Sequence, residues 1–212
     1  MTNIKEQNGP GGLPVGMEHG FTEVVHRARG RYDMQFEMTR SPFVESELPG
    51  GQWPWQPLID EIFEHKSKLL FNGLLMTEPS ADEQQWHADG EHLFPQRGLV
   101  APAHCLNVLV PLVEMTAEKG ATQFCLGSHR DTERAGDEIV WQDESHKDRL
   151  GITDEPLQPE YDIGDVLLFD YRLLHRAVSN PTKMIRPVLY FTHAKEWFVD
   201  AHNFPEGKPL VP

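Results

Sequence analysis

Three His-x-Asp triplets stand in this chain: His87-Ala88-Asp89, His129-Arg130-Asp131 and His146-Lys147-Asp148. Two neutral imidazoles and one carboxylate on one side of a metal leave three coordination positions open, as non-haem Fe(II) oxygenases require. His-x-Asp with a distant His is the linear trace of that arrangement. The triplet alone says little, because eleven His and thirteen Asp in 212 residues would produce roughly 0.7 such triplets from composition. Context separates the three. His146 lies in an acidic stretch without periodicity, where nothing rigid would hold ligands. His129 is separated from the candidate distal ligand, His175, chiefly by that same stretch. His87 follows an apolar strand, and the chain from Asp89 to His175 holds two strands and a long loop, enough to cross a barrel and return. His87, Asp89 and His175 are the preferred ligand set.

These residues need strands to hold them. The segment Asp165 to His175 reads as one strand, with His175 on the face of Leu173, Tyr171, Phe169 and Leu167. A hairpin closed at Asn180-Pro181 would then set Arg186 opposite His175 and bring a guanidinium to the same interior. A buried Arg needs an anion, and none lies on that face of these two strands. The partner is either a carboxylate from elsewhere, such as Asp170 in a slipped register, or one brought by a ligand. Further strands are expected near Leu69 to Met76, Cys105 to Leu112, Ala121 to Leu126 and Pro187 to Thr192. Short strands divided by turns predict a mainly β chain, a sandwich or jelly roll. One amphipathic helix is expected from Pro57, with Leu58, Ile59, Ile62, Phe63 and Lys66, then Leu69 and Leu70, at helical spacing, running into the apolar segment Leu69 to Met76. Residues 1–16, rich in Gly and Pro, are set aside as a flexible segment, leaving 17–212 as a single domain with 131–160 as a lid loop.

Composition narrows the partners. Lys and Arg number 19 against 33 Asp and Glu, a net charge of −14, which repels phosphate backbones and anionic membranes. No stretch has the eighteen or so consecutive apolar residues of a membrane span. Neither nucleic acid nor membrane is expected as a partner, and oligomeric state is left open. The two cysteines, Cys105 and Cys125, are too few for a disulfide framework and read as core residues. With no signal sequence or S-K-L tail, a cytoplasmic location is the expectation.

The motifs QQWHADG (84–90), KGATQFCLGSHR (119–130), YDIGDVLLFDYRLLHRAVSN (161–180) and RPVLYFT (186–192), in that order, resemble those of the phytanoyl-CoA dioxygenase (PhyH) family of Fe(II)/2-oxoglutarate oxygenases. The resemblance implies a double-stranded β-helix, or jelly-roll, core with flanking helices. It further implies that His87, Asp89 and His175 bind Fe(II), that Arg186 anchors 2-oxoglutarate, and that Gln84 and Asn107 contact this cosubstrate. Dioxygen is the other reactant, and hydroxylation of a C–H bond in a small-molecule substrate, with release of succinate and carbon dioxide, is the implied reaction. The family often has Ser two residues after the distal His; here Ala177 stands there. Trp86, His104, Trp141 and Tyr161 are candidates for the substrate mouth. Two rival readings are a cupin-type metal enzyme that does not use 2-oxoglutarate and a jelly-roll ligand-binding domain without chemistry.

Overall fold

The computed structural model describes residues 21–39, 44, 47–133, 148, 151, 155–200 and 203. Segment 1–16, Trp141, His146 and most of the 131–160 stretch lie outside them. Among the described residues, one α-helix and eight strands follow in order: β1 (Phe21–Ala28), β2 (Arg31–Phe36), α1 (Gln56–Phe63), β3 (Ser67–Thr77), β4 (Cys105–Pro111), β5 (Gln123–Phe124), β6 (Leu167–Asp170), β7 (His175–Arg176) and β8 (Arg186–Lys195). Six strands form an antiparallel sheet in the order β1-β2-β3-β8-β4-β6, and β5 pairs with β7 in a second, smaller sheet. The small sheet is widened by single bridges, His87 to His175 on one side and Phe124 to Leu157 on the other. This is the mainly β, double-stranded β-helix architecture expected from the sequence. No helix among the described residues is long and apolar enough to cross a membrane.

Alternation on the central strands sorts side chains into two cores. Leu109, Phe169, Val188 and Tyr190 point between the sheets, where they meet Phe124, Met115, Tyr161 and Leu173. Leu106, Val108 and Phe191 point outward and are covered by α1 through Ile59 and Phe63, both fully buried, and by Trp55. Each such side chain contributes about 1.5–3 kcal/mol relative to exposure. Pro57 sits in the first turn of α1, and the helix stops at Glu64, which is left-handed at φ 56°. It ends before Leu69 and Leu70, which belong to β3.

The expected strand from Asp165 to His175 is broken. β6 ends at Asp170, whose carboxylate accepts both the Arg172 backbone N–H (2.9 Å) and the guanidinium (2.8 and 2.9 Å), so the chain turns there. Burial works against the Asp170 charge, but Arg172 prevails and holds that carboxyl below its ordinary value. The chain thus leaves the large sheet at Asp170 and enters the small one at His175. The expected Asn180-Pro181 hairpin does not form either: His175 pairs with Phe124, while Arg186 pairs with Thr77. Asn180, fully buried, instead ties its segment to Thr77 and Met184 through Nδ2. β1 and β2 were not anticipated.

Two buried histidines give the fold a pH dependence. Trp55 Nε1 donates to His193 Nε2 at 3.0 Å, which requires a neutral ring, and burial lowers the His193 pKa to about 4. His104 is likewise lowered to about 4, by burial and then by Arg172. A histidine whose folded pKa lies below its unfolded value, near 6.5, stabilises fully above that value and progressively less as pH falls toward the folded one. The urea midpoint is expected to drop between pH 6.5 and pH 4, and to drop less in a His193→Gln variant; equal slopes for the two proteins would remove His193 from this account.

Candidate metal centre

His87 and His175 exchange both backbone hydrogen bonds, at 3.1 and 2.9 Å. Directly opposed residues of an antiparallel pair present their side chains on one face, and the two imidazole centroids lie 4.5 Å apart. Asp89, two residues beyond His87, joins them: its Oδ2 is 3.6 Å from His175 Nε2. One donor atom from each of His87, Asp89 and His175 lies within 4.8 Å of the others, and no other such cluster occurs among the described residues. Each ring is fixed from behind. Nδ1 of His87 is 2.9 Å from the Gln85 carbonyl and Nδ1 of His175 is 2.9 Å from the Leu173 carbonyl. Both Nδ1 atoms therefore carry the proton, which puts the lone pair of each ring on Nε2, the state in which imidazole binds a metal.

Asp89 is positioned from three directions. Its backbone N–H and that of Gly90 both donate to the Tyr171 carbonyl, at 3.1 and 3.2 Å. Asn107 Nδ2 donates to Asp89 Oδ2 at 2.6 Å, and Thr192 Oγ1 donates to Asn107 Oδ1 at 2.7 Å. Asn107 and Thr192 are register partners on β4 and β8, so this relay runs from the centre of the large sheet to the carboxylate. Asn203 Nδ2 donates to the Asp89 carbonyl at 2.8 Å and contacts the Tyr171 hydroxyl at 2.7 Å, while that hydroxyl donates to Asp200. Nothing in the spacing of Asp200 and Asn203 marks them as neighbours of Asp89, and Tyr171 is expected from the sequence only on the face of His175. Gly90 lies so close to the Tyr171 ring that a Cβ there would collide with it.

One flank of the site is dry: Phe169 meets the His175 ring edge-on at 4.9 Å and Phe124 stacks at 6.1 Å. The other is open, with the Asp89 side chain 32% exposed against 11% for His175. Gln84 closes the strand below: its N–H donates to the Ala177 carbonyl at 2.9 Å, and its Oε1 accepts from the Ala177 N–H at 3.0 Å. His129 stands apart in a short 3-10 turn. Of the expected mouth residues, His104 and Tyr161 are buried away from solvent, and Trp86 is half-buried under the Arg176 guanidinium, 4.9 Å from the ring centroid.

Arg186 starts β8 on the inward face shared with Val188 and Tyr190, and is buried. Its Nη1 donates to the carbonyls of Lys119 (2.8 Å) and Gly120, and Nη2 donates to that of Val178 (3.0 Å). Among the described residues that leaves Nε–H and one Nη2–H, two donors on one edge of the fork. Burial and then the nearby Arg31 lower its pKa to about 10, so it stays cationic at neutral pH. Gly120 makes this cradle possible: at φ +80° a Cβ would collide with Arg186 Nη1 and the Ser179 carbonyl. Gly120→Ala is expected to destabilise the protein by about 1–3 kcal/mol, read as a lower denaturation midpoint; an unchanged midpoint would mean that the cradle yields freely.

Comparison with known proteins agrees with this fold. A curated relative, the dioxygenase hkm4 of Aspergillus hancockii, is 26% identical over 170 residues, covering 77% of this chain; the match spans 44% of hkm4, less than half its length. HygX of Streptomyces hygroscopicus, solved with nickel, 2-oxoglutarate and hygromycin B bound, shares the fold with a TM-score of 0.58 at 16% identity, over 86% of this chain and 76% of its own. AviO1 of Streptomyces viridochromogenes superimposes with a TM-score of 0.50 at 20% identity, over 69% of this chain and 59% of its own. The family description of phytanoyl-CoA dioxygenase (PhyH) matches residues 53–188, more than half of the chain and the whole span from α1 to Arg186. With that match and this fold, the chain belongs to the phytanoyl-CoA dioxygenase family.

Proposed function

We propose that this protein is a non-haem Fe(II)- and 2-oxoglutarate-dependent dioxygenase that hydroxylates a C–H bond of a small molecule. The observation that carries this reading is the convergence of His87, Asp89 and His175 within 4.8 Å, with both imidazoles held by carbonyls at Nδ1. The donor set, two neutral nitrogens and one oxygen with an open side, suits Fe(II). His87 Nε2, Asp89 Oδ2 and His175 Nε2 would hold it. When bound, Fe(II) supplies the redox chemistry that couples oxidative decarboxylation of 2-oxoglutarate, to succinate and carbon dioxide, with insertion of one oxygen atom of dioxygen into the substrate.

The chain's own residues do the rest. Arg186 offers Nε–H and the remaining Nη2–H to the far carboxylate of 2-oxoglutarate, a bidentate fork that a carboxylate matches. Gln84 Nε2, which has no hydrogen-bond partner among the described residues, can donate to the cosubstrate. Asn107 holds the Asp89 carboxylate in place, a supporting role in addition to any cosubstrate contact. Phe124, Phe169 and Leu173 keep water from the His175 side. The acidic surface favours an uncharged or cationic prime substrate over a polyanion. HygX, solved with hygromycin B, holds a small molecule, the substrate class proposed here.

Anaerobic addition of Fe(II) and 2-oxoglutarate is expected to give a visible metal-to-ligand charge-transfer band, absent in Asp89→Ala and His175→Ala. A band of unchanged strength in either variant would overturn the ligand assignment. With oxygen admitted, slow succinate release is expected even without prime substrate. Full turnover by Arg186→Ala would favour a cupin-type enzyme without 2-oxoglutarate, and binding of metal and 2-oxoglutarate without any succinate would favour a ligand-binding domain. Asn107→Ala is expected to weaken Fe(II) affinity about 10–100-fold, measured by anaerobic metal titration; unchanged affinity would show that Asp89 holds its orientation unaided.

A further inference from the structure

Arg186 is not the only buried guanidinium at its end of the site. Arg31 on β2, Thr77 on β3 and Arg186 on β8 are successive register partners across three adjacent strands, so all three share the inward face. Arg31 and Arg186 are each about 5% exposed, and both donate to one acceptor, the Val178 carbonyl, at 2.7 and 3.0 Å. The other Arg31 bonds go to the Asp82 carbonyl (2.8 Å), the Ala177 carbonyl (3.2 Å) and the Thr77 hydroxyl (3.3 Å).

Among the described residues neither guanidinium is paired with a carboxylate. Asp33, the next inward position on β2, is already engaged by Arg27 at 2.8 Å and by the Tyr190 hydroxyl at 2.9 Å. Asp82, exposed, lends Arg31 its backbone carbonyl, with its carboxylate acting only at a distance. Two like charges buried side by side and satisfied by uncharged carbonyl and hydroxyl oxygens leave an uncompensated positive field. An anion entering beside them relieves the repulsion, and the low-polarity surroundings strengthen its attraction to both.

We propose that Arg31 is a second determinant of cosubstrate binding, acting by its charge through Arg186 to select a 2-oxo acid with a second, distal carboxylate. Arg31 has only one N–H left, on Nη1, so it does not grip the ligand as a fork. Arg186 makes the contact, and Arg31 deepens the field and holds the Val178 carbonyl that both share. This also answers the lack of a hydroxyl at Ala177: charge replaces the hydrogen bond. The inference rests on the proposed use of 2-oxoglutarate.

The test is anaerobic titration of the Fe(II)-loaded full chain with 2-oxoglutarate and, separately, with 2-oxobutanoate, which has the same chelating end and no distal carboxylate. Arg31→Gln, which keeps N–H donors without the charge, is expected to raise the Kd for 2-oxoglutarate about tenfold and leave that for 2-oxobutanoate and for Fe(II) unchanged. Arg31→Lys should stay within about threefold of the parent. Equal weakening toward both oxo acids, or toward the metal, would make Arg31 a purely structural clamp, and no change toward either would leave it without a role; both overturn the proposal. Should Arg31→Gln not fold, the unaltered protein decides. Two guanidiniums predict a preference of about a hundredfold for 2-oxoglutarate over its neutral 5-amide, and a preference below about tenfold would refute the second charge. Absence of a charge-transfer band with either oxo acid in the parent, with Fe(II) bound, would instead refute the use of 2-oxoglutarate itself.

Discussion

The pair of hydrogen bonds between the backbones of His87 and His175 is the constraint on which the site depends. Two segments far apart in sequence meet at this one bridge, and a slip of one residue would turn an imidazole to the outer surface. Register is therefore enforced around it. Gln84 and Ala177 pair on one side, and Asp89 and Gly90 share the Tyr171 carbonyl on the other. Below, Ser128 Oγ donates to the Cys125 carbonyl and accepts from the Leu174 N–H, fixing the residue just before His175. The small sheet has few strand bonds of its own and borrows precision from these side-chain locks.

How much of this was legible in the sequence depends on what each signal can carry. Alternation reports a face but not a partner strand. Arg186 is expected inward from a hairpin that would set it opposite His175; that hairpin does not form, yet Arg186 lies inward, on the face of Val188 and Tyr190 with Thr77 as its neighbour. The break at Asp170 was invisible to periodicity, because Tyr171, Leu173 and Leu174 are apolar and buried on both sides of the corner. What turns the chain is the Asp170–Arg172 pair, a local polar lock inside an apolar run.

β2 was missed for a different reason. Its inward positions, Arg31, Asp33 and Gln35, are polar, and its apolar residues, Met34 among them, face the other way. A strand read by the rule that apolar means inside comes out reversed or not at all. Those inward polar residues belong to the end of the barrel where Arg186 lies, so the feature that hid the strand is the one that gives it a bearing on the site. Local disagreement between sequence pattern and fold is expected where chemistry displaces packing.

Charge follows the same logic. A net charge of −14 describes the surface, while the interior end of the site holds two guanidiniums with no carboxylate partner among the described residues. Burial would normally expel such a pair, yet each is held by three or more backbone and hydroxyl oxygens contributed by segments 77–82, 119–120 and 177–178. Two of those segments lie next in the chain to those bearing His87 and His175. The arginines thus join the large sheet to the chains that carry the imidazoles, while Asn107 and Thr192 join the same sheet to Asp89. His87, Asp89 and His175, the candidate ligands, are all tied to the six-stranded sheet, and that shared reference is what lets two distant parts of the chain hold one geometry.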